Sequence, residues 1–336
     1  MVLLRHLIAS VVFAEVVLSD SVPQDIADKF GAKCLDGSAP TFELTRNVSS
    51  TSWVLFLEGG GWCQGPDENA TLTSCAQRAG LVWPPTDASQ LRDHDAGDAS
   101  SAEVLKTRSN IPAPAPADIG GVMAQDGAVN PDFYTWNKVF IHYCDGASFG
   151  SSREEPINVS TRDGAPAQMW MRGRNNFDAV ISYLQSDVGM GNATEVILSG
   201  GSAGGLAVFY NLDHLATLLP SNVRLTGFPD AGFFLDAADE RGEYAYRAGF
   251  IGADPVWNVT GSGGTNLKCL EANPTATWKC LMAPYLASFI TTPYFVMNAI
   301  YDAYQTANVR WYSTRAAIAQ HCLAITALMA FFCHRS

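Results

Sequence analysis

Glu195-Val-Ile-Leu-Ser199 runs directly into Gly200-Gly-Ser202-Ala-Gly204-Gly205 and then into an apolar stretch from Leu206 to Leu219 that Pro220 ends. The first segment is a short β-branched, apolar run and predicts a buried strand; the last has helical length and composition. A strand, a glycine-rich turn and a helix in succession form the βα step of a parallel sheet. Further strands are predicted at Ser52-Trp-Val-Leu-Phe-Leu57, stopped by Gly59-Gly60-Gly61, and at Lys138-Val-Phe-Ile-His-Tyr143, stopped by Asp145-Gly146. Val223 to Phe228 and Pro293-Tyr-Phe-Val-Met-Asn298 predict two more. Between Arg174 and Leu184, the residues Phe177, Val180, Ile181 and Leu184 recur at helical spacing. Strands alternating with helices predict the α/β class, with a mostly parallel sheet covered by helices on both faces in a single domain.

The chain has 336 residues, with 21 Lys plus Arg against 33 Asp plus Glu and a formal net charge of -12. That sign repels a phosphate backbone, so nucleic acid is excluded as a partner. Apolar residues make up 47% and charged residues only 16%, a balance that excludes disorder for most of the length. Between the first two strands lies a Pro-, Asp- and Ala-rich stretch, placed at 84–130 and read as a surface excursion or lid. The eight cysteines show no CxxC pair of the kind zinc sites use, which favours disulfides and leaves no metal site. Sequons begin at Asn47, Asn69, Asn158, Asn192 and Asn258, the pattern of a secreted glycoprotein. The N-terminus agrees with this. Arg5 and His6 precede an apolar run, and Val12 and Ala14 suit a signal-peptidase site. Residues 1–19 are accordingly read as a signal peptide and 20–336 as the domain.

The turn at residues 200–204 has the Gly-x-Ser-x-Gly form of a nucleophile elbow, in which small flanking residues let the chain turn sharply and lift a hydroxyl off the sheet. Ser202 would attack an acyl carbon, and the Ala203 amide would bind the developing oxyanion, helped by the positive end of the helix. The second oxyanion amide is expected from Glu58-Gly59-Gly60-Gly61-Trp62, through Gly60 or Gly61, since glycine lets backbone approach the substrate oxygen. An acid after a later strand would orient a histidine. Asp302, in Asn298-Ala-Ile-Tyr-Asp302, fits the chain order, with Asp230 and Asp236 as competitors.

Cys34-Leu-Asp-Gly-Ser38, Glu58-Gly-Gly-Gly-Trp-Cys63, Tyr143-Cys-Asp-Gly-Ala-Ser148, Gly200-Gly-Ser-Ala-Gly-Gly205, Asp230-Ala-Gly-Phe-Phe-Leu-Asp236 and Tyr301-Asp302 with Gln305 occur in that order. Together they resemble the pectin acetylesterase family, which includes the Notum-type carboxylesterases. The resemblance spans about residues 31 to 310. It implies an α/β-hydrolase-like fold, secretion, no cofactor and an acyl ester substrate such as an acetylated polysaccharide. It also implies Ser202 as nucleophile, Asp302 as triad acid, and Gly60 or Gly61 with Ala203 as oxyanion hole. By the same resemblance Cys63 pairs with Cys75, Cys34 with Cys144 and Cys269 with Cys280. Removal of a fatty acyl group from a protein is the alternative activity.

The expected histidine motif is missing beyond Asp302, where only His321 and His334 occur. Ala316 to Phe332 is instead an apolar run, shorter than the roughly 20 apolar residues of a membrane span. Residues 311–336 are therefore read as atypical. Three readings stand: a C-terminus truncated or altered, His334 or else His321 as the base, and a relative without catalysis. His142, His214 and His94 are read as structural or solvated.

Overall fold

The computed structural model describes residues 16–81, 119–161, 163–239, 241–300, 302, 304 and 305. The main sheet is built from β1 (Val16–Ser21), β2 (Thr41–Arg46), β3 (Ser52–Leu57), β4 (Asn137–Ile141), β7 (Glu195–Gly201) and β8 (Arg224–Asp230), while β5 (Ile157–Ser160) and β6 (Pro166–Met169) form a separate hairpin. Its strand order is β1-β2-β4-β3-β7-β8. β4, β3, β7 and β8 run parallel, and β1 and β2 add an antiparallel flank. The α/β-hydrolase-like expectation holds: one domain, a mixed but mostly parallel sheet, and helices on both faces.

The central strands are apolar almost throughout because both faces are covered. Along β3, Trp53, Leu55 and Leu57 enter one core with Val139, Ile141, Val196 and Leu198. Val54 and Phe56 point the other way, against Phe140 and Met123. Met123 is fully buried, so the end of the 84–130 stretch contributes to the core; residues 82–118 lie outside the described residues. Helix α1 (Gln24–Phe30) packs on α3 (Gly173–Tyr183), and α2 (Glu68–Arg78) on α5 (Ala245–Trp257). Helix α4 (Ala203–Leu218) is apolar nearly all round and lies on β7 and β8. Short helices α6 (Leu267–Ala272) and α7 (Ala283–Leu286) follow.

Pro293 to Asn298 runs parallel to β8 but pairs with it only at Gly227↔Tyr294 and Asp230↔Met297. Gly227 donates to Pro293 O (2.8 Å), Phe295 to Gly227 O (2.9 Å), Met297 to Pro229 O (3.0 Å) and Ala231 to Met297 O (2.8 Å). The bond missing from this alternation would come from Pro229, which has no N–H to give Phe295. The predicted strand is thus present as an extended segment with an interrupted ladder. At the other end of the sheet, β1 overlaps the segment read as a signal peptide, pairing from Val16↔Arg46 to Ser21↔Thr41. A cut after Ala14 would leave β1 whole, whereas one after Ser19 would remove most of it.

Among the described residues three disulfides staple the chain: Cys34–Cys144, Cys63–Cys75 and Cys269–Cys280, with sequence separations of 110, 12 and 11. Cys322 and Cys333 lie outside the described residues. The extended segment beside β8 is anchored by Asp213 of α4. Its carboxylate accepts the N–H of Thr291 (3.0 Å) and Thr292 (2.9 Å) and the Thr291 hydroxyl (3.1 Å). Burial works to raise the Asp213 pKa, but the bonds from Thr292 and Thr291 outweigh it and hold the group below its usual range.

A depressed carboxylate stabilises the fold above its unfolded pKa, roughly 4, and loses that contribution as pH falls through the folded value. Asp213→Asn is therefore expected to lower stability by about 1 kcal/mol at pH 7, a modest figure because the group is half exposed. The difference should shrink below about pH 4 in urea titrations; a pH-independent difference would refute the assignment. Replacing Cys34 and Cys144 together with serine should cost about 2–5 kcal/mol by releasing a long loop in the unfolded chain. An unchanged melting temperature would contradict that figure.

Candidate active site

Register levels the strand ends. Leu57 pairs with Ile141 and with Gly200, and Gly200 with Pro229, so Glu58, His142, Ser202 and Ala231 emerge near one edge of the sheet. This is the carboxyl edge of the parallel strands, where open α/β sheets place their ligands. Ser202 occupies the turn between β7 and α4 with φ 55° and ψ −121°, a conformation L-residues adopt only when the surroundings enforce it. Its N–H donates to Asp230 O (3.0 Å) and its carbonyl accepts from Leu206 N (3.0 Å), so neighbours fix the strained residue from both sides.

The surrounding glycines are required by close approach. A Cβ on Gly204 would lie 2.0 Å from Leu57 O, and one on Gly200 would lie 2.4 Å from Gly204 O. The glycine loop after β3 reaches the same place: a Cβ on Gly59 would meet Gly201 O at 2.2 Å and the Ser202 Cβ at 3.1 Å. Gly60 and Gly61 both have positive φ, 129° and 65°. The buried Arg78 donates to Gly60 O (2.9 Å) and lies over the Tyr143 ring (4.9 Å). A trans peptide points its N–H opposite its C=O. Arg78 therefore turns the Gly61 N–H away from itself, and a Cβ on Gly61 would meet no atom of the described residues within 4 Å, its chain neighbours aside. Ala203, at the first turn of α4, is fully buried.

Asp302 accepts the N–H of Gln305 (2.8 Å), and the Gln305 side chain bonds Leu235 N (3.0 Å) and Phe233 O (3.3 Å). Asn298 accepts from Phe233 N (3.1 Å). The chain around Asp302 is thereby docked on the loop that follows β8. Of the two competing acids, Asp236 is occupied by Arg247 through both carboxylate oxygens and by the Tyr285 hydroxyl. The Asp230 backbone anchors Ser202, and burial raises the pKa of its carboxyl. Trp62, next to Gly61, meets Phe234 (4.7 Å), Phe250 (5.1 Å) and Tyr246 (6.3 Å) edge to face. Burial pushes the Tyr246 phenol pKa up, and the nearby Tyr304 and Asp302 add to the shift. Its hydroxyl makes no hydrogen bond among the described residues.

His142 is buried between carboxylates, with Nδ1 3.3 Å from Glu58 Oε2 and Nε2 3.7 Å from Glu43 Oε1. Burial raises the Glu43 pKa; His142 opposes the shift and Glu58 adds to it. His214 pairs with Asp178 on α3 at 2.7 Å. His94, His321 and His334 lie outside the described residues. Asn69, Asn158 and Asn192 are exposed, whereas Asn47 and Asn258 are half-buried. Asn47 Nδ2 already donates to Thr135 O (2.7 Å). Among the described residues no group of three or more His, Cys, Asp or Glu could hold a metal ion, and no helix is long and apolar enough to cross a membrane. Arg78 and Tyr246 are not singled out by the sequence, because their contacts with Gly60 and Trp62 depend on the fold and on no motif or periodicity.

A serine in a forced positive-φ turn between a parallel strand and a buried helix, under a glycine loop from an earlier strand, defines an α/β-hydrolase-like protein. The pectinacetylesterase family model matches residues 19–89 and 99–326, and the chain belongs to that family. Pectin acetylesterase 11 of Arabidopsis thaliana is 31% identical over 286 residues, covering 83% of this chain and 61% of that protein. The palmitoleoyl-protein carboxylesterase NOTUM of Drosophila melanogaster is 30% identical over 283 residues, or 81% of this chain and 36% of that protein. A crystal structure of the Drosophila Wnt deacylase Notum superposes with a TM-score of 0.68 at 25% identity, covering 92% of this chain and 80% of that one. The chain thus spans about three fifths of the length of the plant relative.

Ser202→Gly removes the backbone strain along with the hydroxyl. It is expected to raise thermal stability by about 1 kcal/mol, the relief being partly offset by the added freedom of glycine in the unfolded chain. A destabilised variant in a calorimetric melt would show that the turn is not strained.

Proposed function

We propose that the protein is a secreted serine carboxylic ester hydrolase, with Ser202 as nucleophile. The observation that carries this reading is the enforced conformation of Ser202 at the start of α4 with the β3 glycine loop in contact with it. The hydroxyl attacks the ester carbonyl, and the oxyanion rests on the amides of Ala203 and of Gly61, with Gly60 the alternative donor. The alcohol leaves, an acyl-enzyme remains, and water hydrolyses it. Asp302 orients the imidazole that takes and returns the proton. His334 is proposed as that base, with His321 in second place. Three disulfides and the exposed sequons at Asn69, Asn158 and Asn192 support an extracellular location.

The proposed substrate is an O-acetyl group on a polysaccharide such as pectin. Next to the oxyanion loop, Trp62, Phe234, Tyr246 and Phe250 are buried and packed on one another, with a phenol hydroxyl among them. That surrounding suits a short acyl group better than a long alkyl chain, which would leave the hydroxyl unpaired. The second reading, cleavage of a fatty acyl group from a protein, draws on the likeness to the Notum proteins.

Hydrolysis of p-nitrophenyl acetate and palmitate separates the two. The acetate should be the better substrate by kcat/KM, and Ser202→Ala should lose at least about 10³-fold in kcat, Asp302→Asn about 10²–10⁴-fold. Of His334→Ala and His321→Ala, the first should match the Ser202→Ala loss. Hydrolysis that survives Ser202→Ala would sink the mechanism, and a preference for palmitate would move the substrate to the fatty acyl reading.

A further inference from the structure

We infer that Ser148 is a positioning residue that ties the two arms of the oxyanion hole to each other, an inference that rests on the esterase reading above. Its hydroxyl accepts the indole N–H of Trp62 (2.7 Å) and donates to the Ala203 carbonyl (2.8 Å). Trp62 directly follows Gly61, and Ala203 directly follows Ser202. One hydroxyl therefore joins the residue that closes the glycine loop to the residue that opens the elbow helix.

The surroundings are built to hold that hydroxyl in place. Ser148 is fully buried, and it and Phe149 both have φ 54°, two left-handed non-glycine residues in succession. Three hydrogen bonds enforce the turn. The Ser148 N–H donates to the Tyr143 hydroxyl (3.0 Å), and Asp145 accepts Phe149 N (3.1 Å) and the Ser151 hydroxyl (2.8 Å). Tyr143 in turn lies under Arg78, the residue that orients the Gly60–Gly61 peptide. Glycine at 148 would relieve the backbone, so a serine at this strained position points to a use for its side chain. Oxyanion donors stabilise a transition state only if their geometry is set before charge develops. A fixed separation between the glycine loop and the elbow supplies that geometry, and Ser148 spans it.

Amide hydrogen exchange reads the tie without relying on catalysis. In Ser148→Ala, exchange at Gly60, Gly61 and Ala203 should quicken by about tenfold or more, while core amides of β3 and β7 keep their protection. Trp62→Phe, which removes the N–H and leaves Ser148 in place, should quicken the same amides and serves if Ser148→Ala does not fold. Unchanged exchange at these positions in the folded variants would overturn the inference. With p-nitrophenyl acetate, each variant should lower kcat by about 10–100-fold with KM within about twofold, and the double variant should be no slower than Ser148→Ala. A loss confined to KM, or strictly multiplicative losses, would also overturn it. Should hydrolysis persist in Ser202→Ala, the esterase reading alone falls, and the exchange measurement still decides whether the tie exists.

Discussion

Main chain meets main chain where β3 and β7 end, and the rest of the site depends on that contact. Gly204 lies so close to Leu57 O, and Gly59 to Gly201 O, that no side chain fits between them. The parallel register of β3 and β7 brings the two ends level, but the missing Cβ atoms let the following loops touch. With that distance fixed, the Gly59–Gly61 loop and the start of α4 face the same small volume. Any larger residue at those positions would push the Gly59–Gly61 loop away from the start of α4.

Polar groups beneath this contact are buried at a cost that pairing offsets. Arg78 is spent on Gly60 O and the Tyr143 ring, and Ser148 on Trp62 and Ala203. Burial pushes the Asp145 carboxyl upward, against the hydrogen bonds from Ser151 and Phe149 that favour its charged form. The same carboxylate enforces the left-handed turn at Ser148 and Phe149. The strained turns at Ser148 and Ser202 are each held by their own hydrogen bonds and are joined through the Ser148 hydroxyl, which reaches the carbonyl of Ala203 beside Ser202.

The parallel strands and the turn around Ser202 are legible in the sequence because their signals are local. β3 and β7 are short apolar runs closed by glycines, and α4 begins within the glycine run at Ala203, three residues before the predicted Leu206. β2 is harder to read, because Glu43 and Thr45 interrupt its apolar residues and yet are buried, Glu43 beside His142. β1 has the composition of a leader and becomes a strand only through pairing with β2. The run from Pro293 to Asn298 is readable as extended chain, while its broken ladder is set by Pro229 on the neighbouring strand. Around the candidate site, glycines announce themselves but their partners do not. Ser148 lies 86 residues from Trp62 and 55 from Ala203, separations at which no periodicity operates.

The Cys34–Cys144 bridge also bears on how chains of this kind can diverge. It closes a ring that contains β2, β3, α2, the Pro-rich stretch from residue 84 and β4, and it sits beside the Leu35 to Cys144 backbone bond. The entropy of closing a ring grows only with the logarithm of its length, so doubling the ring costs about 0.6 kcal/mol. Residues can therefore be inserted or lost between α2 and β4 at little thermodynamic cost, while the strand ends on either side stay in register. The length of chain between α2 and β4 can thus drift while the turn at Ser202 keeps its place.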